Sequence, residues 1–385
     1  MNSDNRGGIK PFLFSAWLGS IGLSLLLLPA CAEHSDSSRD NQNQQDTPSG
    51  LAGAAREVEL QVGVAYDVGD RASTEQAQVA SREFTSVTPE NSMKWRSLAP
   101  AADEYDFSGA DQLVDFALAN GQRLRGHTLF WHRLNGLPSW MQAELDAASD
   151  PAARLRELMV DHTATVVGRY AGRIAQWDVI NEPLGIASGD FDRENIFYQL
   201  LGEEYLDLAL LHAHAADPSA ELFINETFTE FQPQKFDALI ALAQRVLARG
   251  APLHGIGLQG HFFLRAPDEA VLRDQLRRIA ALGLKAEITE LDIPLPLFDT
   301  TPDPLAAQAQ AYADVFNACL AVPLCSGITA WGVDDAHTWL DSFVITAGNA
   351  PNRPLLFDGQ LQAKPAYHAV VDALLDAVPW RIVSN

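Results

Sequence analysis

Two glutamates stand out as residues that could do chemistry, each set in a short apolar run. Glu182 lies in WDVINEP (177–183) and Glu290 in ITELDI (288–293). In the first stretch Trp177, Val179 and Ile180 carry one polar residue, Asp178, and the run stops at Asn181-Glu182-Pro183. Such a run reads as a buried parallel strand. Pro183 cannot donate to a sheet ladder, so it marks the strand's end. Taken alone, the stretch fits either a strand delivering an amide and a carboxyl into a cleft or a strand-ending turn in solvent.

Two carboxylates facing one cleft suit acetal hydrolysis. One protonates the leaving oxygen, and the other acts as base or nucleophile at the anomeric carbon. Tryptophans offer flat apolar platforms to sugar faces, and Asn, Gln, His and Lys supply partners for hydroxyls. A metal centre built from His127, His132 and His261 with carboxylates competes, but no HExxH or similarly tight spacing occurs. A serine nucleophile lacks its GxSxG elbow. No metal and no cofactor is expected.

The elements that must position these groups follow from periodicity. Apolar segments at 60–65, 84–88, 123–129, 174–180, 221–225, 255–259, 286–291 and 327–332 read as eight strands. Helical patterns fill the gaps at 75–81, 110–120, 151–170, 197–216, 235–248, 269–282, 304–320 and 366–377, and Gly121, Gly250 and Gly283 read as helix-ending glycines. Eight strand–helix units predict an α/β fold, a (β/α)8 TIM barrel. A doubly wound open sheet is the alternative, weakened by the lack of a Gly-rich loop after the first strand. In a barrel the chemistry sits at the C-terminal strand ends. Strands two to eight end in Glu90-Asn91 with Lys94, His127 with Trp131, Asn181-Glu182, Asn225-Glu226, Gln259 and His261, Glu290 with Asp292, and Trp331 with Trp339 behind it. A merely structural rim would not collect polar and aromatic groups on seven successive strands.

The chain has 385 residues, 47% hydrophobic, enough for one large barrel. Its net charge of −23 argues against nucleic acid or an anionic membrane surface as partner. Arg6 and Lys10 precede an apolar run at 12–28, the pattern of an export signal. Leu28-Pro29-Ala30-Cys31 resembles a bacterial lipobox, so Cys31 is the expected lipidation site, with Ala32 after it favouring an outer-membrane lipoprotein. Plain secretion after an ordinary signal peptide is the alternative. Residues 33–50 are Ser, Asp, Asn and Gln with almost no apolar side chains and read as a disordered tether. The expected organisation is signal 1–31, linker 32–52 and one catalytic domain 53–385, as a monomer. In an exported chain, Cys319 and Cys325 could form a local disulfide or remain two buried thiols.

Six motifs then carry a specific resemblance: TPENSMKW (88–95), RGHTLFWH (125–132), WDVINEP, GLQGH (257–261), ITELDI and AWGVDDAHTW (330–339), closed by PLLFDGQLQAKPAY (354–367). In this order they resemble glycoside hydrolase family 10, retaining endo-1,4-β-xylanases on a (β/α)8 barrel, over residues 59–367. The resemblance implies Glu182 as acid/base and Glu290 as nucleophile. It implies that Glu90, Asn91 and Lys94 hold sugar on the non-reducing side, with His127 and Trp131 lining the reacting sugar. Asn181 would bind the 2-hydroxyl, Gln259 and His261 would surround the nucleophile with Asp292 orienting His261, and Trp331 and Trp339 would roof the cleft. The cysteine pair resembles a short-range disulfide of the family. Xylan or xylo-oligosaccharides would be the partner.

The match departs from the family in places. Asn225-Glu226-Thr227-Phe228 replaces the usual Asn-Asp-Tyr-Asn, so the leaving-side tyrosine is missing and Phe228 is its possible substitute. The loop HRLNGLPSW (132–140) lacks the usual glutamine, with Asn135 a possible substitute, and Gly260 replaces a more usual serine. Trp95, Trp140 and Trp177 read as core, and Arg125, Asp178 and Thr289 as supports. Two other functions stay open: a related barrel acting on another β-1,4-glucan, and a non-catalytic glycan-binding lipoprotein, which would have no need of both glutamates.

Overall fold

In the computed structural model, eight parallel strands close on themselves in chain order. The structure describes residues 50–69, 72–133, 136–342 and 351–381. The expected signal, Cys31, nearly all of the tether and Asn135 lie outside them.

The strands are β1 (Gln61–Ala65), β2 (Ser86–Thr88), β3 (Arg123–Trp131), β4 (Gln176–Asn181), β5 (Glu221–Glu226), β6 (Gly255–Leu258), β7 (Lys285–Leu291) and β8 (Cys325–Ala330). The seam between β8 and β1 is sealed by pairs from Gln61↔Gly327 to Val64↔Ala330. The strands are buried along nearly their whole length, as a sheet covered on both faces requires. This is the expected TIM barrel, closed rather than open.

Local chemistry sets the helix limits. Ser73 and Gln76 form a capping box at Thr74–Glu83. Asp150, Asp268 and Asp303 accept backbone N–H groups at the starts of Pro151–Arg169, Glu269–Ala280 and Pro304–Leu320. Gly121, Gly250 and Gly283 follow helix ends with φ of 64°, 80° and 77°, the left-handed turn that glycine adopts most cheaply. The stretch expected as one helix at 197–216 is two, Ile196–Leu201 and Glu204–Ala216, broken at Gly202.

Residues 50–52, read as the end of the linker, belong to a helix, Gly50–Glu57. Its apolar residues are Leu51 and small alanines, too few to stand out as periodic. The helix is fixed from outside. Leu51 N–H donates to Glu83 Oε2 and Tyr367 Oη, and Tyr367 Oη donates to Glu83 at 2.7 Å. Cys319 and Cys325 form a disulfide across the turn from the last residues of Pro304–Leu320 into β8.

The motif strands fit one another closely. Gly126 on β3 faces Trp177 on β4, and a Cβ on Gly126 would lie 2.2 Å from the indole. Trp177 and Trp95 are buried core residues, and Trp140 is tied to Ala99 O through its N–H. Arg125 on β3 binds Asp178 on β4 and reaches Glu287 on β7 at 2.7 Å. Since β3 and β7 are not neighbours, this ion pair crosses the barrel interior.

Candidate active site

Glu290, at the penultimate position of β7, is only 5% exposed. Its Oε1 accepts from Asn225 Nδ2 on β5 at 2.7 Å, and its Oε2 meets His261 Nε2 at 3.0 Å. The other nitrogen of His261 binds Asp292 Oδ2 at 2.9 Å, and the Trp339 N–H donates to the same oxygen at 2.8 Å. Burial alone would strip the charge from His261, but Asp292, and then Glu290, overturn that and push it up to about 10. Burial would likewise raise Glu290, yet the His261 hydrogen bond leads the forces that hold it below the usual carboxylate range. Glu290 is therefore built to stay ionised.

Glu182 directly follows β4. It has φ 53°, a conformation that costs a non-glycine residue about 1–3 kcal/mol and persists only where surroundings enforce it. Here Glu182 N–H donates to Asn225 O, Leu184 N–H to Glu226 Oε2, and Asp192 N–H to Pro183 O. Glu226 is fully buried against Lys235 at 2.9 Å. Burial, which Lys235 and backbone donors oppose, pushes Glu226 up to about 7. The Glu182 carboxyl accepts from Gln259 Nε2 at 3.1 Å through Oε1, and Oε2 faces Arg133 Nε at 3.4 Å.

One expected contact is therefore redistributed. Gln259 does not donate its amide to the nucleophile; it donates to Glu182. Its backbone is held between neighbouring strand ends, N–H to Glu226 O and carbonyl from Glu290 N–H, and the side chain reaches toward the end of β4. The second donor to Glu290 is Asn225, which also donates to Asn181 Oδ1 at 2.8 Å and accepts from the Thr289 hydroxyl. Accepting at Oδ1 leaves Asn181 Nδ2 as its donating group.

The second motif forms one wall. Lys94 Nζ donates to Asn91 Oδ1 at 2.9 Å and sits 5.0 Å from the Trp131 ring centre. Asp67, two residues beyond β1, accepts from the backbone N–H of Asn91 and Ser92. Burial raises Glu90, with Asp67 adding to it and Glu290 contributing. Burial lowers Lys94, against the pull of Glu290, Glu90, Asp67 and Glu182. These influences place Glu90, Lys94, Asp67, Glu290 and Glu182 in one field. His127 binds Asp178 Oδ2 at 3.0 Å. Trp331 stands edge-on to both His127 and His261, at 5.2 and 6.1 Å.

Asn225, Arg133, Asp192 and Asp67 were not among the expected site residues. Asn225 had a signal, its place at the end of the fifth strand beside Glu226. Asp67 follows the one strand whose end carried no assignment. Arg133 follows His132 directly but sits in a loop, whose direction spacing does not reveal. Gly260 has φ 78°, and a Cβ there would come within 2.6 Å of Ile288, a conformation and a space that suit glycine.

A closed parallel barrel with two carboxylates, amide and imidazole donors and tryptophans at its C-terminal strand ends has the build of a carbohydrate hydrolase. The model of glycosyl hydrolase family 10 matches residues 50–373, and the chain belongs to that family. A β-1,4-xylanase of Dictyoglomus thermophilum is 38% identical over 299 residues, covering 75% of this chain and 82% of its own. The endo-1,4-β-xylanase B of Paenibacillus barcinonensis is 35% identical over 305 residues, 77% and 90% of the two chains. Among solved structures, xylanase 10B from Thermotoga petrophila RKU-1 in complex with xylobiose superposes with a TM-score of 0.78 at 32% identity, covering 86% of this chain and 98% of that one.

Proposed function

We propose that the chain is a retaining endo-1,4-β-xylanase with Glu290 as nucleophile and Glu182 as acid/base. The observation that carries this reading is the asymmetric pair. Glu290 is buried and held ionised by His261, while Glu182, directly after β4, is joined to it through Gln259 and is the more exposed of the two. In the first step a Glu290 oxygen bonds to the anomeric carbon, the bond to the leaving oxygen breaks, and Glu182 gives that oxygen its proton. In the second, Glu182 takes a proton from water, the water oxygen attacks the same carbon, and Glu290 leaves with its electron pair. Two inversions retain configuration.

Asn181 Nδ2 would donate to the 2-hydroxyl, a contact that strengthens toward the transition state. Glu90, Asn91 and Lys94 would hold the non-reducing sugars, with His127 and Trp131 against the reacting sugar and Trp331 and Trp339 above it. Phe228, edge-on to Phe263 at 5.5 Å, would supply the apolar leaving-side surface in place of the missing tyrosine.

Release of reducing ends from xylan, carboxymethylcellulose and mixed-linkage glucan tests the reading. Xylan should be cut to short oligomers and carboxymethylcellulose hardly at all. Binding of xylan without cleavage, or preference for a glucan, would overturn it. For the N-terminus we retain a signal at 1–31, a tether up to the helix that starts at Gly50, and an outer-membrane lipid anchor on Cys31. Palmitate labelling should be lost in Cys31→Ser, and an unlabelled wild type would leave plain secretion.

A further inference from the structure

The loop after β3 brings a guanidinium to Glu182 that the mechanism above does not use. Arg133 Nε lies 3.4 Å from Glu182 Oε2, and Arg133 Nη2 lies 2.8 Å from Asp192 Oδ2. Asp192 comes from the loop after β4, which folds back on itself through a Leu184↔Phe191 bridge. It is held three ways: by Glu194 N–H on Oδ1, by His132 Nε2 on Oδ2 at 3.1 Å, and through its own N–H on Pro183 O. Two loops are thereby fastened to each other and to the residue that follows Glu182. The side chains are mostly covered, 23% exposed for Arg133, 13% for Glu182 and 11% for Asp192. Burial, with the charge of Arg133, holds His132 below its ordinary range, so it meets Asp192 as a neutral ring.

We propose that Arg133 is a positioning residue for Glu182: anchored by Asp192, it orients the carboxyl through Oε2, and its charge enters the pH profile of the reaction. A positive charge within about 4–6 Å favours the ionised carboxylate. The arrangement therefore favours the second step, where Glu182 works as base, and limits the first step on the alkaline side. Asp192 offsets part of that charge. The other charged or titratable groups acting on this neighbourhood are Glu290 on β7, Lys94 from the loop after β2, His132 beside Arg133, and Glu226 at the end of β5; Gln259 from the end of β6 is neutral. Of these cations and Arg133, it is Arg133 that makes a direct contact with Glu182.

The inference rests on Glu182 being the acid/base, and the test separates the two. The quantity measured is the pH profile of kcat/KM on an aryl β-xylobioside with a poor leaving group, whose departure needs the proton of Glu182. Arg133→Met should move the alkaline limb up by about one pH unit, the low end for a partly exposed pair. Asp192→Asn should move it down, because it leaves the guanidinium uncompensated. Arg133→Lys, which keeps the charge, should stay nearer the wild type than Arg133→Met. A merely structural brace would not produce shifts of opposite sign. An unmoved limb in folded Arg133→Met, or the same direction in both neutralising variants, overturns the proposal. Should Arg133→Met not fold, Asp192→Asn decides alone: a downward shift supports it, and no shift or an upward one overturns it. Glu182→Ala with azide and an activated aryl β-xylobioside, whose leaving group needs no proton, should form a β-xylobiosyl azide. If that adduct is absent, the acid/base reading fails; if it forms while the limb stays put, only the role of Arg133 fails.

Discussion

The Glu290 side chain is 6% exposed and lies between Asn225 and His261, whereas the Glu182 side chain is 13% exposed and meets one neutral amide and one guanidinium at 3.4 Å. The first has a charged donor backed by a further carboxylate, Asp292. The second is fixed mainly through its backbone, by three hydrogen bonds around a left-handed turn. The difference teaches what each role demands. A nucleophile must keep one charge state through a desolvated site, so the protein surrounds it with donors. An acid/base must exchange a proton with substrate and then with water, so its position is enforced from behind while one side stays open.

Removing Glu290 breaks the comparison most severely. Glu290→Ala should lower kcat by a factor on the order of 10⁵ or more. Added azide or formate should then return turnover with an inverted product, visible by NMR; a product of retained configuration sinks the assignment. Glu182→Ala should cost less, about 10²–10⁴-fold on xylan as for a lost general acid. An aryl xylobioside whose leaving group needs no proton should lose far less in the first step, seen as a fast burst; equal losses on both substrates would refute the acid role.

The smallest of these effects sharpens the Glu290 side. Asp292→Asn removes the carboxylate that keeps His261 charged, so kcat/KM should fall about 10–100-fold, the worth of a hydrogen bond to a charged group. The sign is fixed by linkage. His261 is raised to about 10, so its stabilisation is complete below the free-imidazole range and is lost as pH rises through about 10. Glu290 is lowered, so its contribution is present above the ordinary carboxylate range and is lost as pH falls. Imidazole NMR should show His261 charged at pH 8 in the wild type and neutral in Asp292→Asn. An unchanged signal contradicts the relay.

Much of this was legible beforehand because barrel geometry turns strand ends into site positions. Glu182, Asn181, Glu290, His261 and Asp292 are all read from where apolar runs stop. Side-chain direction was harder. Gln259 lies against Glu290 through its backbone carbonyl but turns its amide to Glu182, because a residue just past a strand can turn to either neighbour. Arg133 was invisible because its partner, Asp192, lies 59 residues away in another loop. The helix Gly50–Glu57 was missed since its support is tertiary, from Glu83 and Tyr367. Gly202 shows the converse, a local breaker inside an otherwise continuous helical pattern.

The most direct test is to trap the covalent intermediate. Incubation with an activated 2-deoxy-2-fluoro-xylobioside, whose fluorine slows the second step, should inactivate the enzyme one to one. Proteolysis and mass spectrometry should place the added xylobiosyl mass on the peptide carrying Glu290, and Glu290→Ala should remain unlabelled. Label on Glu182, or on neither glutamate while the wild type is inactivated, would contradict the account.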